Sequence, residues 1–177
     1  MGSYLLVLGD RQALAWILAD REMAFSEVSA RSAQRLRSGD NLLLYTTRAC
    51  FRNPGRDRGR VVGQASVSSE VRQLAAPVTF GERMYTIGCS LSLHLLTPFG
   101  TGVELTDYVR QMHAFPKADV WMIYLRRTLV ALDDHDYNLL MRLLTELAVE
   151  PGKAIPEYVA HGTPPRYQSP RRRRAVR

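Results

Sequence analysis

Residues 85–95 read YTIGCSLSLHL and form the most regular stretch of the chain. Apolar side chains occupy every second position, at Tyr85, Ile87, Cys89, Leu91, Leu93 and Leu95. Successive side chains of a β-strand point to opposite faces, so a period of two marks a strand that is buried on one face. We therefore predict a long strand here, with one face on the hydrophobic core.

Shorter apolar stretches predict further strands on both sides of this one. They are Tyr4–Leu8, Asn41–Thr46, Arg60–Ser68 and Asp119–Leu125. The second stretch is apolar without alternation, which is typical of a strand buried on both faces. Gly63 lies inside the third, where a glycine predicts a bulge or a close backbone approach.

Helix starts are marked by residues whose side chains accept hydrogen bonds from free backbone N–H groups. Asp10 predicts a helix to about Leu18, and Ser29 a short helix carrying Ala33 and Leu36. Later candidates are Thr106, for a short helix through Met112, and Asp133 or Asp134, for a helix with apolar residues at Tyr137, Leu140, Met141, Leu144 and Leu147. Because strands and helices do not alternate regularly, the fold class is α+β, with a twisted sheet that curls into a small barrel.

The chain of 177 residues is long enough for one domain with a hydrophobic core. We assign this domain to residues 1–150, because Pro151 and Gly152 end the last predicted helix. Residues 151–177 are rich in proline and arginine and predict a disordered basic tail. Arginines from Arg166 onward supply six of the seven net positive charges, so the rest of the chain is almost neutral.

Composition indicates a soluble cytoplasmic protein. No apolar run reaches the roughly 18 residues that cross a bilayer, and the first residues lack a signal-peptide pattern. Cys50 and Cys89 lie far apart, in no metal-binding or redox spacing, as expected of free thiols.

No recognisable catalytic motif is present, so we expect a binding module and not an enzyme, with no cofactor and no metal. The four histidines, His94, His113, His135 and His161, are scattered along the chain. Asp133, Asp134 and Asp136 could be taken as a metal site. Their place at a helix start favours the other interpretation, in which they complement the helix dipole.

Several stretches together resemble the EVE domain family. They are LRSGDNLLLYTT at 36–47, GRVVGQA at 59–65, the strand at 85–95, VWMIYLRRTL at 120–129 and LDDHDY at 132–137. The resemblance spans about residues 3 to 149 in the order that the family has. It implies a PUA-like fold related to YTH domains, a curled mixed or antiparallel β-barrel flanked by short helices. It also implies nucleic-acid binding, with a modified base held in an aromatic-lined pocket.

The resemblance implies specific base-binding residues. Arg31 stands where the family has an arginine after its pocket segment, although Val28 and Ser29 replace the Tyr-Gln expected there. Further matches are the strand end that helps form the pocket and the family's R-x-S pair, namely Tyr45, Thr46, Thr47, Arg126 and Thr128. Trp16, Trp121 and Tyr124 are candidates for stacking on a base or, equally, for the core.

Arginines predict phosphate contacts at two places. The polar connection after Thr47 carries Arg48, Arg52, Arg56, Arg58 and Arg60. The tail carries Arg171, Arg172, Arg173 and Arg174. The alternatives are a solvated hairpin for the first group, a solubility tail for the second, and a genomic preference for arginine over lysine, since the chain has 22 arginines and two lysines.

We therefore expect a nucleic-acid-binding module, with DNA or RNA undetermined, that recognises a modified base in an aromatic and polar pocket. The alternative is a protein–protein or small-ligand binding module on the same fold, because fold does not fix function. An apolar rim around the pocket would favour this alternative, and a basic rim the first. We expect neither a membrane nor a metal as partner, and the oligomeric state stays open.

Overall fold

The long strand predicted from the alternating pattern is present and pairs with three other strands. It spans Arg83–Leu96 and is called β6. The computed structural model describes residues 1–162. The other strands are β1 (Ser3–Leu8), β2 (Glu22–Phe25), β3 (Asn41–Thr46), β4 (Arg60–Val67), β5 (Arg72–Phe80), β7 (Val103–Glu104) and β8 (Leu129–Leu132). The helices are α1 (Arg11–Asp20), α2 (Ala30–Ala33), α3 (Asp134–Leu147) and α4 (Pro151–His161).

These strands form one mixed sheet in the order β2-β6-β4-β3-β1-β8, with β5 also paired to β6 and β7 to β4. β1 and β3 run parallel, with Ser3 opposite Asn41 and Leu8 opposite Thr46. The other strand pairs are antiparallel. The predicted α+β class with a mixed sheet and short helices is confirmed.

A bulge interrupts the alternation of β6. Gln64 of β4 lies opposite Leu95, but the next residue, Ala65, lies opposite Leu93, so His94 is an extra residue. As a result Leu93 and Leu95 pack on different faces of the sheet. Gly63 is required beside this bulge, because a Cβ there would stand 2.8 Å from the Leu95 carbonyl oxygen. The close approach predicted at Gly63 is therefore confirmed.

The sheet separates two hydrophobic clusters. The α1 core, on one face, includes Trp16, Phe25, Leu42, Leu44 and Tyr158. The α3 core, on the other face, includes Leu43, Tyr45, Phe115, Leu140 and Leu144. β3 supplies both cores in alternation, which explains why its sequence is apolar throughout.

The caps of the two longer predicted helices are confirmed. The Asp10 carboxylate accepts hydrogen bonds from the backbone N–H groups of Gln12 and Ala13, at 2.7 and 3.1 Å. Asp133 accepts one from Asp136, at 2.9 Å. Elsewhere the predicted caps differ, because Ser29 makes no capping bond and Thr106 lies inside a 3-10 turn, Leu105–Asp107.

The strand predicted at Asp119–Leu125 is a 3-10 helical segment, Ala118–Arg126. Trp121, Tyr124 and Leu125 pack against the α3 core. Their spacing of three and four residues is that of a helix, and the residues between them, Val120, Met122 and Ile123, are exposed. A short apolar run is compatible with both the strand period of two residues and the helical period of 3.6, which is why the prediction of a strand was wrong.

The structured region does not end at residue 150. α4 follows α3 directly and buries Ala154 and Tyr158 in the α1 core. Pro151 stands at the helix start, where a proline is well tolerated because its missing N–H has no intrahelical partner. The boundary predicted from Pro151 and Gly152 is therefore corrected to include α4. Residues 163–177 lie outside the described part of the chain.

Four strands, β2, β5, β7 and β8, had no counterpart in the prediction. β2 has four residues, and β5 is exposed along much of its length, so neither carries a strong hydrophobic signal. Both pair with β6. Among residues 1–162, no helix is long and apolar enough to cross a membrane.

Candidate nucleic-acid interface

An open cavity of about 600 Å³ lies over the α1 core, at the end of the sheet where β1 stops. It is called the aromatic cavity. α1 forms one wall, and the β5–β6 hairpin and the segment after β2 form the others. Its lining residues are Leu6, Val7, Leu8, Gly9, Asp10, Ala13, Trp16, Ile17, Met23, Ala24, Phe25, Ser26, Ser29, Phe80, Gly81, Glu82, Arg83, Tyr85 and Thr128.

Four aromatic side chains line the apolar part of the aromatic cavity, namely Trp16, Phe25, Phe80 and Tyr85. The rings of Trp16 and Phe80 are 5.6 Å apart, and those of Phe80 and Tyr85 are 5.3 Å apart. Both pairs are tilted, by 59° and 61°. This mutual packing holds the rings in place, because edge-to-face contacts restrict their rotation.

Polar side chains also line the aromatic cavity. Ser29 and Thr128 share a hydrogen bond of 2.9 Å between their hydroxyl oxygens, and the Ser26 hydroxyl donates to Ser29 at 3.3 Å. Asp10 adds a carboxylate at the start of α1. Its two capping bonds are both accepted by Oδ1, so Oδ2 takes part in neither. The cavity therefore combines flat apolar surfaces with a polar edge.

Thr128 is the predicted base-binding residue that lines the aromatic cavity. Thr47 lies beside its rim, since the hydroxyl oxygen is 3.7 Å from the position of a Cβ on Gly9. The Thr47 N–H also donates to the Leu8 carbonyl, at 2.9 Å. The C-terminal end of β3 is in this way joined to the end of β1 that forms the cavity wall.

Tyr45 does not line the aromatic cavity. It points into the α3 core on the other face of the sheet and is only 2% exposed. Its hydroxyl packs against Gly59, and burial raises the pKa of the phenol to about 12. Tyr45 cannot stack on a base in this arrangement, and the predicted role is corrected.

Thr46 is also buried, and its hydroxyl donates to the Arg60 carbonyl at 3.3 Å. It faces a second, smaller cavity of about 70 Å³, shared with Phe51 and Tyr158. Thr46 is therefore separate from the aromatic cavity, and its predicted base contact is corrected.

Arg31 and Arg126 are exposed, and each is close in sequence to one of the two hydrogen-bonded hydroxyl residues, Ser29 and Thr128. Arg31 follows Ser29 by two residues, and Arg126 precedes Thr128 by two. The Ser29–Thr128 hydrogen bond thus brings two arginine-bearing segments to the same side of the cavity. Their roles in binding stay predictions.

The arginine connection between β3 and β4 begins at the same end of the sheet, directly after Thr47. Two of its arginines, Arg58 and Arg60, form ion pairs with Glu104 at 3.4 and 3.0 Å. Arg48 donates to the Pro54 carbonyl at 2.9 Å. Arg52 and Arg56 are exposed and make no ion pair within residues 1–162, so their charges are the most accessible to a phosphate. Arg171, Arg172, Arg173 and Arg174 lie outside the described residues.

Sequence reasoning named Trp16 as a stacking candidate but missed Phe25, Phe80 and Tyr85 as cavity residues. Phe80 and Arg83 are paired across a two-residue turn, Gly81-Glu82, in which Gly81 has a positive φ of 60°. A glycine turn before the alternating strand was the signal that could have predicted this hairpin. Trp121 and Tyr124, the other candidates, pack against Phe115 in the α3 core.

Comparison with known proteins finds likeness in the fold. No protein-family model matches the chain, and no curated protein matches it. A hypothetical protein from Leishmania major is 15% identical, with a TM-score of 0.55 over 82% of this chain and 96% of the other.

Two further solved structures contain nucleic acid. The Mmi1 YTH domain in complex with RNA is 12% identical, with a TM-score of 0.56 over 82% of this chain and 78% of the other. Human THYN1 in complex with DNA containing 5-methylcytosine is 9% identical, with a TM-score of 0.51 over 81% and 97%. The chain has the PUA-like fold of these domains, which confirms at the level of the fold its resemblance to the EVE family.

Proposed function

We propose that the chain is a nucleic-acid-binding module that holds one base, turned out of its strand, in the aromatic cavity. The observation that carries the proposal is that one open cavity is lined by four aromatic rings, with Tyr85 half-buried and the others buried, together with hydroxyls and a carboxylate. A base taken out of its stack needs both. Its flat faces stack on aromatic side chains, and its edge forms hydrogen bonds.

The size and position of the aromatic cavity support this role. A volume of about 600 Å³ lies within the range of small-ligand sites and leaves room for a base with its sugar. The cavity is also open to the surface, as a nucleotide still attached to its strand requires. The RNA complex of the Mmi1 YTH domain and the methylated-DNA complex of THYN1 support the same class of partner.

The polar edge favours a base that carries an exocyclic amino group. A carboxylate accepts hydrogen bonds and donates none, so Asp10 Oδ2 suits the amino group of cytosine or adenine and disfavours a carbonyl. Ser29 and Thr128 can both donate and accept. The methyl group of a modified base would be received by the apolar wall around Phe80. We propose that Asp10 supplies the discrimination and the aromatic rings the affinity.

Arginines supply the flanking phosphate contacts in this proposal. Arg31 and Arg126 lie nearest in sequence to the hydroxyl pair, and Arg52 and Arg56 project from the connection after Thr47. In this arrangement Thr128 lines the aromatic cavity and Thr47 lies beside its rim. The Arg171–Arg174 run would add affinity without sequence information, because contacts to phosphate do not depend on the base.

We propose binding alone, without catalysis. The two hydroxyls hydrogen-bond each other, and Asp10 is held by the backbone of α1, so the groups at the edge are arranged to hold a ligand in place. We place the protein in the cytoplasm, because Cys50 and Cys89 are both free thiols.

The test is a titration of labelled single- and double-stranded oligonucleotides, with and without modified cytosines, against the full chain and a chain ending at Gly162. Several salt concentrations separate phosphate contacts from base contacts. We expect the shorter chain to bind and to prefer one base. We expect Asp10→Asn, which keeps the helix cap, to lose that preference.

Trp16 gives a signal from the cavity. The chain has two tryptophans, so Trp121→Phe leaves Trp16 as the only one. Trp16 is 2% exposed and packs against Phe80, so a base that stacks on Phe80 or Tyr85 is expected to change the remaining fluorescence through this contact. Binding by the full chain alone, with a steep salt dependence and no change in fluorescence, would contradict the cavity as the site. Binding by neither chain near physiological salt would contradict nucleic-acid function and favour the small-ligand or protein-binding alternative.

A further inference from the structure

Two histidines and two aspartates come together at the start of α3, away from the aromatic cavity. The residues are His113, Asp133, His135 and Asp136, and they are called the histidine–aspartate cluster. One possible ligand atom from each lies within 4.8 Å of those of the other three. The cluster lies near the β8 end that is opposite Ser3, whereas the cavity lies near Leu8, at the other end of β1. Those two ends are roughly 16 Å apart along the strand.

Asp136 anchors the cluster. Its side chain is 0% exposed, and its carboxylate accepts hydrogen bonds from the backbone N–H groups of His113 and Ala114, at 2.9 and 2.7 Å. These bonds attach the segment before Phe115 to the first turn of α3. The same carboxylate lies 3.0 Å from Nδ1 of His135.

Asp133 uses its two oxygens for different purposes. Oδ1 caps α3 by accepting the Asp136 N–H, and Oδ2 lies 2.7 Å from Nδ1 of His113. The cap that the sequence predicts is therefore present, and it leaves one carboxylate oxygen directed at an imidazole. The two imidazole rings stack, with centroids 4.6 Å apart and planes inclined by 21°.

We propose that the histidine–aspartate cluster binds one divalent first-row transition-metal ion, with zinc the best match. The ligands are one ring nitrogen each from His113 and His135, with carboxylate oxygens of Asp133 and Asp136. This departs from the expectation that the chain binds no metal, because the sequence places His113 twenty residues from Asp133 and gives no sign that the two meet.

The ligand chemistry supports zinc over magnesium or calcium. Imidazole nitrogens suit zinc, copper and nickel, whereas magnesium and calcium prefer an all-oxygen site. Two nitrogens and two oxygens give four ligand atoms of types that zinc binds, and four is its usual coordination number. Asp133 at the cap, with Asp134 and Asp136 in the first turn of α3, gives the site a negative charge that favours a cation. Both histidine side chains are exposed, at 67% and 52%, so an ion can reach them from solvent.

The ion would fasten the segment around His113 to α3. This segment precedes Phe115, which is buried in the α3 core. The expected consequence is a higher thermal unfolding temperature in the presence of zinc, since a ligand that binds only the folded state stabilises it. The aromatic cavity lies at the other end of β1, so oligonucleotide binding is not expected to require the ion.

The test is a zinc titration of the full chain at pH 7.5, followed by calorimetry or by competition with a chromogenic chelator. We expect one zinc ion per chain, and His113→Gln and His135→Gln each to weaken binding by at least about tenfold to a hundredfold, the range for loss of a residue that only orients a metal ligand. Asp133→Asn should also weaken zinc binding while keeping the cap, because asparagine caps helices as well as aspartate does. His94→Gln is the matched control and should leave the affinity unchanged.

Nuclear magnetic resonance gives a second readout. Zinc should shift the ring-nitrogen signals of His113 and His135 and leave those of His94 and His161 in place. Zinc binding that survives His113→Gln/His135→Gln, or no binding at a molar excess of zinc, would overturn the proposal. Neither result would affect the proposed function, since the oligonucleotide titration tests the other end of the sheet.

Discussion

The hydroxyl oxygens of Ser29 and Thr128 lie 2.9 Å apart, although the residues are separated by 99 positions in the chain. Ser29 belongs to the segment after β2, and Thr128 comes directly before β8. β2 and β8 are the first and last strands in the order of the sheet. The hydrogen bond therefore connects the segments beside these two strands, at the wall of the aromatic cavity. Ser29 does not cap α2, because its own backbone is already helical, with φ of -89° and ψ of -6°, whereas a capping residue is extended.

Removal of the Thr128 hydroxyl should weaken base binding and leave the protein folded. Thr128→Val keeps the shape and deletes one hydrogen-bonding group, so we expect about fivefold to tenfold lower affinity for the preferred oligonucleotide. The free energy of unfolding should fall by no more than about 1.5 kcal/mol, because Ser29 keeps its bond with Ser26. Fluorescence anisotropy and urea unfolding measure the two effects. Thr145→Val, on the exposed face of α3, is the control, and equal affinities for the two variants would contradict a role for Thr128.

Gly59 should tolerate no side chain, because a Cβ there would overlap the Tyr45 ring. We expect Gly59→Ala to cost about 1–3 kcal/mol in the free energy of unfolding, the usual cost of overpacking a core. Gly55→Ala lies in the same connection, has no atom within 4 Å of the added Cβ, and should be close to neutral. Combining Gly59→Ala with Tyr45→Phe should recover part of the loss. Equal stability of the Gly59→Ala and Gly55→Ala variants would show that Tyr45 is not packed as described.

Alkaline pH should destabilise the fold through buried phenols. Burial raises the pKa of Tyr45 and Tyr158 to about 12 from the ordinary value of 10.0. Because the pKa is higher in the folded state, each phenol contributes stability that is fully present below pH 10 and is lost as the pH rises from 10 to 12. The expected slope is about 1.4 kcal/mol per pH unit for each phenol.

Urea unfolding at a series of pH values measures this loss. Tyr45→Phe should lower the slope of the unfolding free energy against pH by about 1.4 kcal/mol per pH unit, the contribution of one phenol. The comparison is made between the slopes of the two proteins, so a lower stability of the variant at neutral pH does not affect it. Parallel curves for the two proteins between pH 10 and 12 would contradict the burial of an un-ionised Tyr45.

Removal of α4 should damage the domain. A chain ending at Glu150 loses Tyr158, which is 2% exposed and packs edge-on against Phe99. We expect a loss of at least about 3 kcal/mol in the free energy of unfolding, as for the truncation of a large buried aromatic residue. A chain ending at Gly162 should unfold at the same temperature as the full chain. Equal stability of the two shortened chains would restore the domain boundary to residue 150.

The strands predicted well are those with a clear hydrophobic pattern. β3 and β4 were found within about one residue, and β6 within two, because each is a long apolar or alternating run. β2 and β5 were missed, since their pairing with β6 is decided by neighbours distant in the chain. The segment Ala118–Arg126 was assigned to the wrong structure because its apolar residues fit either period.

The binding residues were harder to predict than the strands. β3 is apolar on both faces, so its sequence does not tell which core each side chain enters. In the structure Leu44 enters the α1 core below the aromatic cavity and Tyr45 enters the α3 core. A shift of one position along a strand moves a side chain to the opposite face, which is why Tyr45 was assigned to the wrong side.

The sequence by itself determined the α+β class, the long alternating strand, the cap at Asp10, a helix start at Asp133 or Asp134, and the arginine connection after Thr47. These features depend on periodicity and on hydrogen bonds between near neighbours, which are local properties. Only the tertiary structure decided that Trp16 meets Phe80, that Ser29 meets Thr128 and that His113 meets Asp133. Each of these contacts joins residues far apart in the chain, and their positions are fixed by strand pairing and by the hydrogen bonds of the buried Asp136.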